Sequence, residues 1–336
     1  MHQHVHPPSH KNRAHRVGFF FILMAKVPYE KRALRYAEQL TLLEQRGLII
    51  ENRAKCLHLL EQISYYRLSG YWYPLLEEPK NEHRFKKGST FEKSYNLYLF
   101  DKELRKFIQS ELEKIEVSVR AKMIYEFWHN HDAFWYSNRE HFKKTNQFEK
   151  SLQKLSDAVK NSDADFIKSF KEKYSDPLPP ACMILEVSSF GNLSNLFGNF
   201  RSGSPEARRI ANYYGLNERI FGSWLHCFTY VRNLCAHHSR LWNRTLNISP
   251  EVPKNPKRKF LVNCKLTHPS DLNNPITNNN RVYFLLSMII YLMDVINPKH
   301  RIKKKLNELT AKFPDVDLGA MGFPEGWESE DFWKLR

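Results

Sequence analysis

Apolar side chains recur along this chain at steps of three and four from Glu30 onward, the repeat of helices that bury one face. The clearest run lies between about Phe91 and Trp128. There Leu97, Phe100, Leu104, Phe107, Ile108, Leu112, Ile115, Val119 and Met123 form a stripe, and Glu111, Glu113, Lys114, Glu116 and Arg120 take the polar side, which predicts one long amphipathic helix. Upstream, Leu34, Tyr36, Leu40, Leu43 and Leu48 predict one or two helices interrupted at Gly47, followed by another from Asn52 to Tyr66. Residues 77–90, with a proline, a glycine and many charges, predict a loop.

Downstream, the pattern predicts a helix over 148–174, stopped by the Asp176-Pro177-Leu178-Pro179-Pro180 run, and another over 181–200 in which Ser188, Ser189 and Gly191 permit a bend. Ser204 followed by Pro205 and Glu206 has the form of a capped helix start, and this short helix should end near Gly215. Asn217 then opens a segment in which Ile220, Phe221, Trp224, Leu225, Phe228, Val231 and Cys235 make a buried stripe. Residues 247–280 carry five prolines among many asparagines and predict a long connection with limited structure. Residues 281–296 are strongly apolar but hold Ser287 and Asp294 and fall short of the roughly 20 residues that cross a bilayer, so a core helix is predicted. A basic helix over 301–313 and a tail packing through Phe323, Trp327 and Trp333 complete an all-α chain. The expected division is an N-terminal helical region (26–90), a main helical domain (91–313) and a tail packed on the core (314–336).

Residues 1–25 stand apart. A histidine- and cation-rich stretch precedes nine apolar residues, too few to span a membrane and without a small-x-small cleavage pattern. Met24 directly before the patterned region predicts a disordered or dispensable extension from a start assigned too far upstream.

Charge narrows the partners. Lysine and arginine number 52 against 36 acidic residues, a formal net charge of +16, which favours polyanions such as nucleic acid or an anionic membrane surface. The runs Lys257-Arg258-Lys259 and Arg301-Ile302-Lys303-Lys304-Lys305 concentrate that charge. Tyr65, Tyr66, Tyr71, Trp72 and Tyr73 crowd around Gly70 and read as a packed aromatic corner, with a base-stacking platform as the lesser reading. Five scattered cysteines form no paired framework, which points to reduced thiols and a cytoplasmic location. His226, Cys227, Cys235, His237 and His238 lack zinc-site spacing, so no metal or other cofactor is expected and Cys227 and Cys235 read as apolar fillers. The chain has no glycine-rich phosphate loop, serine-nucleophile elbow or internal repeat.

The candidate chemistry lies in Arg232-Asn233-Leu234-Cys235-Ala236-His237-His238. Cleaving RNA without a metal needs a group that moves a proton between the 2′-hydroxyl and the leaving oxygen, and a fixed cation for the charge that builds on phosphorus. A histidine near neutrality and a planar guanidinium fit those two roles. The bland alternative makes Arg232 a surface cation and His237 a helix-end histidine. Geometry adds a condition: five positions along a straight helix are about 140° apart, so Arg232 and His237 can share a cleft only if the helix ends or bends near Ala236, or if two chains compose the site.

The run from Arg232 to Arg244 resembles the motif of the HEPN ribonuclease superfamily, and more narrowly the AbiD/AbiF abortive-infection proteins. Blocks at Ile63–Leu75, Tyr95–Phe127, Leu185–Phe197 and the closing Gly322–Trp327 carry the narrower resemblance. It implies a HEPN-like helical bundle with additional helices at both ends, an RNA substrate, a homodimer and a toxin restrained by an RNA or protein antitoxin, a guide-like small RNA among the candidates. On this reading His237 transfers the proton, Arg232 stabilises the phosphorane, and Asn233 positions the scissile group or fixes the histidine. His238, Arg240, Arg244, Lys303, Lys304 and Lys305 contact the RNA backbone, and Glu116 or Arg120 supports the histidine. The alternative is a non-catalytic RNA-binding or scaffold protein with a HEPN-like dimer interface.

Overall fold

The computed structural model describes residues 28–262, 265–268 and 271–334, so the expectations for residues 1–25 and for Cys264 fall outside it. Three short helices come first: α1 (Tyr36–Gln45), α2 (Arg53–Ile63) and α3 (Tyr65–Trp72). Gly47, at φ +93°, turns the chain after α1, and the Asn52 side chain accepts the Lys55 N–H to start α2. The single helix predicted over 52–66 is broken at Ser64, whose φ of +73° ends α2 and whose hydroxyl caps α3. Leu40, Leu43, Leu60, Leu68, Trp72 and Phe85 pack into a hydrophobic cluster of their own. In the aromatic corner Tyr71 and Trp72 are buried as expected, but Tyr66 and Tyr73 face solvent.

The long helix α4 (Phe91–Asn130) runs 40 residues, about 60 Å at a rise of roughly 1.5 Å per residue. Phe100, Leu104, Ile108, Leu112, Ile115, Val119 and Met123 are fully buried along it, the predicted stripe. Two residues placed on its polar side, Glu111 and Arg120, are buried as well. The helix predicted over 148–174 is two, α5 (Thr145–Lys160) and α6 (Asp165–Lys173), parted by a turn in which the Ser162 hydroxyl accepts the Ala164 N–H. The 181–200 segment bends where its serines allow, giving α7 (Ala181–Ile184) and α8 (Phe190–Asn199), the latter capped by Ser189. Ser204 caps α9 (Pro205–Tyr213) and Asn217 caps α10 (Glu218–Ala236), both as predicted.

Within the connection 247–280 lies a two-stranded antiparallel ribbon, β1 (Lys265–His268) and β2 (Asp271–Thr277), which the proline and asparagine content did not signal. It is a local departure from an otherwise helical fold, and the all-α class holds. Next, α11 (Val282–Ile296) buries 12 of its 15 residues, the core helix anticipated from its composition. After α12 (Ile302–Lys312), the tail lays Phe323 and Trp333 on the Tyr283 ring of α11. Gly322 explains part of the closing block. Its φ is +90°, and a Cβ there would sit 2.5 Å from the Arg281 Cβ, so no other residue fits without displacing the start of α11. No helix among the described residues is long and apolar enough to cross a membrane.

Helix α4 is the spine, touching α3, α9, α10, α11 and α12. Its first half faces the end of α10, where the arginine–histidine segment lies.

Candidate active site

Val231 and Cys235 hold the last turns of α10 in the core, which leaves Arg232 half-buried and Asn233 on the surface. The helix stops at Ala236. His237 is its C-cap and donates its N–H to the Asn233 carbonyl at 3.0 Å. His238 takes the left-handed conformation, φ +55°. Its N–H then reaches the Cys235 carbonyl at 3.0 Å, and the Ser239 N–H reaches Leu234 at 2.9 Å. This pair of bonds is the Schellman closure, which satisfies carbonyls that a helix end otherwise leaves open. The chain leaves the helical spiral only at His238, so the His237 Cα still follows the helix and the separation of about 140° from Arg232 persists within one chain. Both histidines are exposed, and Arg232 Nη1 donates to Asn233 Oδ1 at 3.3 Å rather than to His237.

What fixes this turn lies beneath it. Asp101 of α4 is fully buried and accepts the N–H groups of Leu241 and Trp242, the latter at 2.8 Å. It also accepts the Tyr71 hydroxyl at 2.7 Å and pairs with Arg105 one turn along the helix. Burial pushes the Asp101 carboxyl upward, and Arg105, the Tyr71 hydroxyl and the two backbone N–H groups pull it back toward the ionised form. Burial and the adjacent carboxylate hold the Tyr71 hydroxyl far above its ordinary range, so it stays a donor. From α3, Arg67 Nη1 donates to the His238 carbonyl at 2.7 Å, and Arg240 returns a bond to the Gly70 carbonyl. The turn is thus clamped between α3 and α4.

These anchors went unread in the sequence, although one signal was there. Asp101 and Arg105 stand beside Phe100 and Leu104 in the spacing of the buried stripe, where an acid and a base four apart must pair to be tolerated.

The other site residues are distributed differently from the expectation. Arg240 and Arg244, proposed as RNA contacts, are engaged in the turn itself, with Arg244 Nε donating to the Arg240 carbonyl at 2.9 Å. Glu116 and Arg120 do not support the histidine. Glu116 lies 15 residues beyond Asp101 on α4, about 22 Å along the helix axis. Arg120 Nη2 there donates to Glu116 at 2.8 Å and to the Ser188 carbonyl at 3.2 Å, fastening the bend before α8. The lysine trio divides. Lys303 bonds the tail carbonyls of Phe332 and Lys334, Lys305 lies 3.5 Å from the buried Glu111, and Lys304 projects outward near Glu308. Burial pushes the Cys227 and Cys235 thiols up to about 12, as fits cysteines that fill space in the apolar face of α10.

An all-helical protein that presents arginine, asparagine and histidine on a clamped, solvent-facing helix end is the class that fold and site define. The model of the Abi-like protein family matches residues 58–243, more than half of the chain, and the chain belongs to that family. The matched region contains α3, Asp101, Arg105 and the whole turn. Comparison with curated proteins and with solved structures gives no match.

Proposed function

We propose that this chain is a metal-independent endoribonuclease of the HEPN superfamily, an AbiD/AbiF-like toxin of bacterial phage defence held in check by an RNA or protein antitoxin. The observation that carries the reading is the exposure of Asn233 and His237, with half-buried Arg232, at the end of α10, on a turn bonded from beneath to α3 and α4. In the reaction the 2′-hydroxyl oxygen attacks phosphorus while His237 takes its proton. The P–O5′ bond breaks, the protonated His237 returns its proton to the leaving oxygen, and a 2′,3′-cyclic phosphate and a 5′-hydroxyl result. Arg232 neutralises the equatorial oxygens of the phosphorane, and the Asn233 amide orients the scissile group or the imidazole. Membership of the Abi-like family supports the defence role.

Purified protein incubated with RNA in excess EDTA should give fragments with 2′,3′-cyclic phosphate ends. A strict metal requirement would replace this scheme by a metal-assisted one. Binding without cleavage under any condition would favour the non-catalytic alternative, in which the turn shapes an interface.

Arg232 bonds Asn233 rather than His237 within one chain, which supports a composite site in which a two-fold axis brings two turns together. Light scattering at micromolar concentration should then give the mass of a dimer. A monomer whose specific cleavage activity is unchanged on dilution would rule the composite site out.

A further inference from the structure

Beside the clamped turn, on the far side of α3, the N-terminal helices enclose a groove of about 870 Å³. Its surface joins two kinds of side chain seldom left together in solvent. Tyr29, Tyr36 and Tyr66 line it and are 85%, 45% and 88% exposed. Lys31, Arg32 and Arg46 line it too, against the single carboxylate of Glu61. The phenol of Tyr65 in the wall accepts from Arg46 at 3.0 Å and fixes it in place, while Arg32 pairs with Glu38 at 3.6 Å and Lys31 adds a further cation at the rim.

We infer that this groove binds an unpaired segment of RNA and leads it to the turn at His237. Exposed aromatic rings offer flat faces to bases, and only bases released from a duplex can lie on them. Cations between the rings suit the phosphates that link those bases. An apolar peptide would leave the cations unmatched, and an acidic peptide would leave the three rings without stacking partners.

Continuity with the turn sets the direction. Tyr66 and Gly70 are one helical turn apart on the same face of α3, about 6 Å along its axis. The Gly70 carbonyl accepts from Arg240, and Arg67, next to Tyr66, donates to the His238 carbonyl. A strand stacked on Tyr66 therefore lies on the same helix to which the turn is bonded. Tyr66 becomes the residue that stacks the base nearest the scissile bond. Residues 29–46, one wall of the groove, lie outside the segment matched to the family. The destination of the strand rests on the endoribonuclease reading, while binding in the groove does not.

The test uses the full chain carrying His237→Ala, so that binding is read without cleavage. Fluorescence anisotropy at one fixed salt concentration would compare an unpaired oligouridine of about a dozen nucleotides with the same strand annealed to its complement. Tyr66→Ala and Tyr36→Ala should each weaken the unpaired strand roughly five- to hundredfold, the range for losing one base–aromatic stack. Tyr66→Phe keeps the ring and should bind as the parent does. Affinity for the duplex should not respond to these ring substitutions. Both tyrosines are exposed, so their replacement leaves the core untouched. Parental affinity in Tyr66→Ala, equal losses for unpaired and paired strands, or displacement of the RNA by an equal concentration of polyglutamate would each overturn the inference. Failure of the wild-type chain to cleave RNA would instead strike the endoribonuclease reading and leave the groove result standing.

Discussion

Replacing His237 by alanine is expected to lower the single-turnover cleavage rate by a factor of about 10²–10⁴, the usual contribution of a positioned proton-transfer group. The fold should survive. His237 is exposed and serves the helix end through its backbone N–H to Asn233, which alanine retains. A change in stability within about 0.5 kcal/mol is therefore expected in a thermal or urea melt, and RNA binding should persist. Arg232→Ala is the companion measurement. At saturating RNA its rate should fall by about 10²–10³, as when an oxyanion donor is removed, with little change in how affinity depends on salt. Undiminished cleavage by the histidine variant would remove His237 from the mechanism. A loss of affinity in the arginine variant that matches its loss of cleavage, with the saturated rate intact, would make Arg232 a binding cation.

Asp101→Ala should be the most damaging single change to the fold near the site. Removing one member of a buried ion pair leaves its partner charged and dry, a loss of about 3–5 kcal/mol. Here the carboxylate also accepts Tyr71 and the N–H groups of Leu241 and Trp242, which the substitution leaves buried without acceptors. The urea midpoint should drop accordingly. Adding Arg105→Met, which withdraws the stranded charge, should restore part of the loss, and the double-mutant cycle measures how much. A cost below about 1 kcal/mol for Asp101→Ala would show that the turn is held by something else.

Much of this architecture was legible because helix periodicity and capping residues are local signals. The α4 stripe, the Ser204 and Asn217 caps and the apolar composition of α11 were read correctly for that reason. Errors arose where tertiary contacts overrode local preference. Ser64 adopts a left-handed conformation that divides α2 from α3, and Asn161–Ala164 interrupts what the apolar repeat carries through. Arg120 read as part of the polar side of α4, because the carbonyl it reaches, that of Ser188, is 68 positions away. The site shows the same division. The sequence singled out Arg232, Asn233 and His237 as candidates, and the structure places them in the last turn and C-cap of α10. Arg67 and Asp101 stayed hidden since they reach the turn across 171 and 140 positions, and Tyr71 joins it only through Asp101.

Those spans bear on the order in which the molecule is made. Domains fold from the N-terminus as they are synthesised, and contacts distant in sequence close last. Asp101 waits for backbone donors 140 residues downstream, and Arg67 for a carbonyl 171 residues downstream. During translation the groove and α4 are complete while the acceptors meant for the turn still face solvent. A nascent or truncated chain ending before His238 has no clamp for the helix end, and the exposed histidine pair exists as a fixed geometry only once that late segment has docked.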